Sequence, residues 1–245
     1  MRHFLHQTYV ATHMALRLQV RDLGLLIGFL IVLPLGFLFF LGAIAQPAQQ
    51  TQVVVGSIIF QMGLLNINIL AQSIGNDKQT RIYDLWVSLP MNPSVYVAST
   101  ALSVLPVALV SAGATLAVGV WHFGLPISWT ILPAILIAFL LVWGSTLGVG
   151  FLIGVYGRSP RQIGQLAQVV GILLTFFAPV FYPITVLPAF LQYLAYAIPI
   201  TWGSLLLAAI LGTGSVSAIV CAGVLVGFIA VWLVLIAAGL RWRQP

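Results

Sequence analysis

Six long apolar runs, residues 23–45, 53–74, 95–121, 131–156, 163–177 and 216–240, pass without one Asp, Glu, Lys or Arg. A helix needs roughly 20 apolar residues to cross the hydrocarbon core of a bilayer, and all but the fifth run supply that length. Apolar residues make up 61% of the chain and charged residues 5%, against roughly 45–50% and 25% in soluble domains. A single water-soluble core of this size has no room for so much apolar surface. In lipid each backbone N–H and C=O needs an internal partner, which leaves helices or closed barrels. Barrel strands alternate apolar and polar residues; these runs do not. The sequence therefore predicts an all-α membrane protein of six transmembrane helices, one membrane domain over residues 23–245. Ala43-Ile44-Ala45 has the form of a signal-peptidase site. The run before it exceeds the about 7–15-residue core of a signal peptide, so a retained helix is expected.

Charge orders these runs. Arg2, Arg17 and Arg21 precede the first, Lys78 and Arg81 follow the second, Arg158 and Arg161 the fourth, and Arg241 and Arg243 the sixth. Six spans put all nine basic residues on one side, together with the three acids Asp22, Asp77 and Asp84. Basic residues mark the cytoplasmic side, so both termini are expected there. The net charge of +6 is scattered next to the membrane and forms no basic stripe, which excludes a nucleic-acid surface. Trp121, Trp129 and Trp202 fit an outer aromatic belt, and Trp86 and Trp242 an inner one. Cys221 sits alone in an apolar run and is expected to pack between helices.

Residues 1–22 read as an N-terminal amphipathic interfacial helix, with Arg2, His6, His13 and Arg17 on one narrow face. Its histidines, His3, His6 and His13, are expected to form a wet headgroup-level face rather than a metal site.

The runs are short of chemistry. Ion-coupled carriers place a carboxylate at membrane depth, and none is present in any run. The only lysine, Lys78, lies in Gly75-Asn76-Asp77-Lys78 and belongs to no phosphate-binding loop. A pump built this way takes its energy from another chain on the cytoplasmic side. The segment suited to that contact is residues 75–93. Asn76 is placed to cap a short helix ended by Pro90. Asp77, Arg81 and Asp84 then share one face, and Ile82 and Trp86 another. The spacing is equally compatible with an interfacial loop anchored by Trp86.

Two passages resemble the ABC-2 family of transporter permeases. One is Phe177-Ala178-Pro179-Val180-Phe181-Tyr182-Pro183-Ile184-Thr185-Val186-Leu187-Pro188, continuing to Ile198-Pro199; the other is the loop with Asp77, Asp84 and Pro90. Pro179, Pro183, Leu187, Pro188 and Pro199 match the family's proline pattern after the fifth helix. Arg81 stands where glycine is usual, Ile82 where threonine is, and Ile198 where asparagine is common. The resemblance implies a permease in the bacterial plasma membrane, homodimeric, driven by two ABC ATPase subunits that bind ATP and Mg. This chain would hold no cofactor and catalyse nothing. It also implies a coupling site of Asp77, Arg81, Asp84, Leu85 and Trp86, and a re-entrant hairpin at about residues 178–202 before the last helix. A plain outer loop remains the rival for that stretch.

Within the runs, Ser57, Gln61, Asn68 and Gln72 share one side of the second, with Asn66 and Ser73 off it. Gln165, Gln168 and Thr175 share a face of the fifth. They either line a path or join helices by hydrogen bonds worth about 0.6–2 kcal/mol each. Phe176, Phe177, Phe181 and Tyr182 are candidate substrate contacts, or packing. Gly144-x-x-x-Gly148 and Gly150-x-x-x-Gly154 allow close helix approach. The expected function is the permease of an ATP-driven exporter for an apolar or amphipathic substrate: a drug-like molecule, a lipid or a lipid-linked glycan. The alternative is an ion-coupled secondary transporter; a membrane enzyme is a third, disfavoured because His122 is the only histidine outside the N-terminal segment.

Overall fold

The computed structural model describes residues 8–13, 23–46, 49–82, 93–125, 127–182 and 184–239. Most of the expected interfacial helix lies outside these residues; residues 8–13 are helical, with Thr12 Oγ1 donating to Thr8 O at 2.7 Å.

The apolar runs become helices, because helix is the conformation in which a segment satisfies its own backbone. The elements are α1 (Leu23–Ile44), α2 (Gln50–Gln79), α3 (Pro93–Phe123), α4 (Leu132–Tyr156), α5 (Pro160–Phe177), a 3-10 turn (Ile184–Val186), α6 (Ala189–Tyr196), α7 (Pro199–Ile210) and α8 (Ala218–Gly239). Pro93, Pro133, Pro160 and Pro199 sit in the first turn of their helices, where a missing N–H costs nothing. Pro34 and Pro106 lie inside α1 and α3. Gly124 and Gly212 take positive φ just past α3 and α7, the left-handed position that closes helices.

Among the described residues, four helices are long and apolar enough to cross a membrane: α2, α3 from Val95, α4, and α8 as far as Ile236. A fifth crossing results if α6 and α7, bent by 88° at their junction, count as one broken span. α1 is helical over 22 residues, but its described apolar part, Pro34–Ile44, is short. α5 begins with the polar stretch Pro160-Arg161-Gln162 and carries Gln165 and Gln168.

α2 is the axis of the bundle. It packs against α4, α5 and α3, and less extensively against α1 and α7, and 89% of its most apolar window is buried. Its inward residues Val54, Ile58, Ile59 and Met62 join Ile135, Val142, Ile200 and Leu207 in the main core. α4 lies between α2 and α8, and its two glycine pairs face different neighbours. A Cβ on Gly150 would fall 2.7 Å from Ile67 O, and one on Gly154 2.8 Å from Ile74 Cβ, both on α2. A Cβ on Gly144 would fall 2.9 Å from Ile229 Cδ1 on α8, and Gly148 lies against the Trp232 ring. Trp232 Nε1 donates to Ser145 O at 2.8 Å. The close approach expected of both motifs is present.

The expected start of a new helix at Asn76 is corrected. α2 runs on to Gln79, and Asn76 is an interior residue whose carbonyl accepts from Thr80 N and Thr80 Oγ1, both at 2.9 Å. A helix that continues into water keeps going while its last carbonyls find donors. Thr80 supplies two.

Candidate functional site

The end of α2 forms a node with three other helices. Lys78 Nζ reaches across to α4 and donates to Val155 O at 2.6 Å and Gly157 O at 3.1 Å. These are carbonyls at the helix C-terminus, which no backbone N–H in the helix can reach and where a cation is favoured. One residue earlier, Tyr96 Oη donates to Asp77 Oδ2 at 3.0 Å, joining α2 to the first turn of α3. α5 joins through Ile163: Cβ atoms on Gly75 and Gly157 would fall 3.4 Å and 2.2 Å from its side chain. Ser159 caps α5 by accepting from Gln162 N at 3.3 Å, while Gln162 Oε1 accepts from Arg158 N at 3.1 Å. Lys78, Arg81, Arg158 and Arg161 therefore share one end of the bundle, as their positions in the sequence required.

Arg81 is exposed and has φ 57°, the region that only glycine enters freely. It stands immediately after the helix-ending Thr80, where a left-handed residue closes a helix. The glycine usual in the resembling family fits that backbone; arginine adopts it at a cost. Asp77 and Arg81 belong to the described part of the expected coupling site. Asp84, Leu85 and Trp86 lie outside the described residues.

The sequence-predicted polar residues separate into paired and unpaired groups. Gln61 is buried and its Oε1 accepts from Thr115 Oγ1 of α3 at 2.8 Å. Asn66 is buried toward α4, its Nδ2 donating to Thr146 Oγ1 at 3.0 Å. Asn68 Nδ2 donates to Leu64 O at 2.8 Å, and a Cβ on Gly171 of α5 would lie 3.1 Å from that nitrogen. Asn68 Oδ1, Asn66 Oδ1 and Ser57 Oγ are buried with no partner. Gln72 is exposed.

On α5, Thr175 is buried and donates to Gly171 O, on the face that Ile163, Ala167 and Gly171 turn to α2. Gln165 and Gln168 are exposed. Phe60 of α2 gathers an aromatic group: Phe37 at 5.2 Å, Phe181 at 5.7 Å and Phe176 at 6.1 Å between ring centroids. Gln52 Nε2 donates to Val180 O at 2.8 Å and ties the stretch after α5 to α2. Phe177 is half exposed, and Phe181 and Tyr182 are partly buried.

The contacts of Lys78, Tyr96, Thr115 and Thr146 are not legible in the sequence. The first two signal nothing locally, since their partners are 19 to 79 residues away.

A helical bundle with long apolar spans and one basic end defines a multi-pass membrane protein. The sequence profile of the ABC-2 type transporter family matches residues 6–211, and the chain belongs to that family. Its members are membrane components of ABC transporters, in general not themselves catalytic, which work with an ABC ATPase. No curated protein matches the chain.

Proposed function

We propose that the chain is the permease subunit of an ATP-binding-cassette exporter in the bacterial plasma membrane, with its termini and its basic end in the cytoplasm. In this reading α1, α2, α3, α4, α5 and α8 make six spans, and α6 with α7 forms a hairpin dipping in from the outer face. Two ATPase subunits, which bind ATP and Mg, dock on the segment containing Asp77, Arg81, Asp84, Leu85 and Trp86. A second copy of the chain faces α5, and the path between the copies draws on Gln72, Gln165, Gln168, Phe177, Phe181 and Tyr182, while Gln61, Asn68 and Thr175 are buried inside the single chain and pack the bundle. The substrate is apolar or amphipathic: a drug-like molecule, a lipid or a lipid-linked glycan.

The observation that supports this most is the outer face of α5. Gln165 and Gln168 are exposed in the single chain, and an amide without a partner in hydrocarbon costs about 2–7 kcal/mol. Such a face belongs against water or protein. The test is to isolate the chain with whatever ATPase co-purifies, reconstitute both in liposomes, and follow a fluorescent phospholipid and an uncharged amphipathic dye. Export is expected only with MgATP. Transport at full rate without ATP, driven by a proton gradient, would establish the ion-coupled alternative.

A further inference from the structure

We infer that Lys78 is a positioning residue that carries movement of the ATPase-docking segment to α5, by clamping the end of α4 to the end of α2. The inference rests on the proposed docking of an ATPase on residues 75–93.

Three observations carry it. First, Lys78 Nζ holds two carbonyls, one in the last turn of α4 and one on Gly157, just past that helix. Gly157 has φ −67° and ψ 138°, an extended conformation that turns the chain away from α4, and Ser159 caps α5 two residues later. Lys78 thus grips the hinge from which α5 departs. Second, the contact is supported along its length. Gly154 lets Ile74 approach α4, and Gly75 and Gly157 receive the Ile163 side chain from two sides. α2, the hinge and the first turn of α5 therefore move together or separate as a whole. Third, the other root of the docking segment is tied to the same turn of α2, since Tyr96 donates to Asp77. A push on the segment is taken up by α2 and α3 jointly and delivered through the ammonium to the α4–α5 hinge.

Lysine suits this role. Its three donors and flexible stem follow a moving pair of carbonyls, and the last carbonyls of a helix favour a cation. A neutral side chain of similar length keeps the packing and loses the grip.

The experiment is hydrogen–deuterium exchange on the chain reconstituted with its co-purifying ATPase, with and without MgATP and vanadate. In the wild type, nucleotide is expected to alter exchange in residues 79–92 and in residues 157–166 together. Lys78→Met is expected to retain the first change and lose the second, while Lys78→Arg retains both; Lys78→Gln carries the same test if Lys78→Met does not survive extraction. A response at 157–166 that persists in Lys78→Met or Lys78→Gln overturns the inference. So does a wild type in which 79–92 responds and 157–166 does not. No response at 79–92 in the wild type defeats the docking on which the inference stands, and the two failures are thereby told apart.

Discussion

Replacing Gly150 by alanine is expected to weaken the α2–α4 contact, and the size of the effect follows from what the new methyl meets. Its Cβ would lie 2.7 Å from Ile67 O and 3.1 Å from Ile67 Cα. Both are backbone atoms, so no rotamer change relieves them, and the helices must part. Forcing a methyl into a filled contact costs about 1–3 kcal/mol, and alanine returns about 1 kcal/mol of helix propensity. Gly113 on α3 supplies the matched control, since a Cβ there meets nothing within 4 Å. Gly113→Ala has only the gain. The two variants make the same chemical change and should differ by about 2 kcal/mol, Gly150→Ala being the weaker. Unfolding in mixed detergent, with tryptophan emission as the signal, gives the difference without an absolute reference. Equal stabilities would refute the inference that backbone approach at Gly150 holds these helices together.

Other substitutions test other contacts. Arg81→Gly relieves a left-handed residue and should stabilise the protein by up to about 1 kcal/mol, after the entropy glycine loses on folding; a drop in unfolding midpoint contradicts it. Ser159→Ala removes the cap of α5 and should cost about 1 kcal/mol, read as faster exchange of the Gln162 amide. Tyr96→Phe deprives Asp77 of a donor and should cost about 1–2 kcal/mol, measured in the same detergent titration; an unchanged midpoint means that the α2–α3 link is idle. The double change Gln165→Leu with Gln168→Leu should leave the detergent stability of the single chain unchanged and abolish ATP-driven export in liposomes. Retained export would remove both residues from the path.

Where a helix lies was legible wherever lipid decides the matter. α4 was expected over residues 131–156 and spans Leu132–Tyr156, because the apolar run and the helix end together. α2 was expected over 53–74 and spans Gln50–Gln79, because its last turn is held by bonds that hydropathy does not register: Thr80 on Asn76, Tyr96 on Asp77, Lys78 on α4. The start of α5 was placed at Ile163 and lies at Pro160, although Ser159, Pro160 and Gln162 spell a readable helix start. The Lys78 clamp was out of reach, since no periodicity links residue 78 to residues 155 and 157. The odd backbone of Arg81 was visible only indirectly, as an arginine where the resembling family has glycine.

Depth in the bundle follows a rule opposite to that of soluble proteins. Of the four clear spans α2 is the least apolar and the most buried, and α8 the most apolar and the least, at 89% and 11% of their apolar windows. Water is absent from both sides of that comparison. Lipid accepts apolar surface without penalty, so polar side chains go inward to find partners. Gln61 and Asn66 do so on α3 and α4, and Val231, Leu233 and Val234 of α8 face outward. α5 breaks the rule: its buried face is Ile163, Ala167, Gly171 and Thr175, while Gln165 and Gln168 are exposed. The same outer side carries Leu166, Val169, Leu173 and Phe176, so the exception lies in its two amides, in the turns that follow Arg161. Water or another protein chain at these two amides restores the rule, which supports the proposed second copy against α5 and leaves the apolar face of α8 for the bilayer.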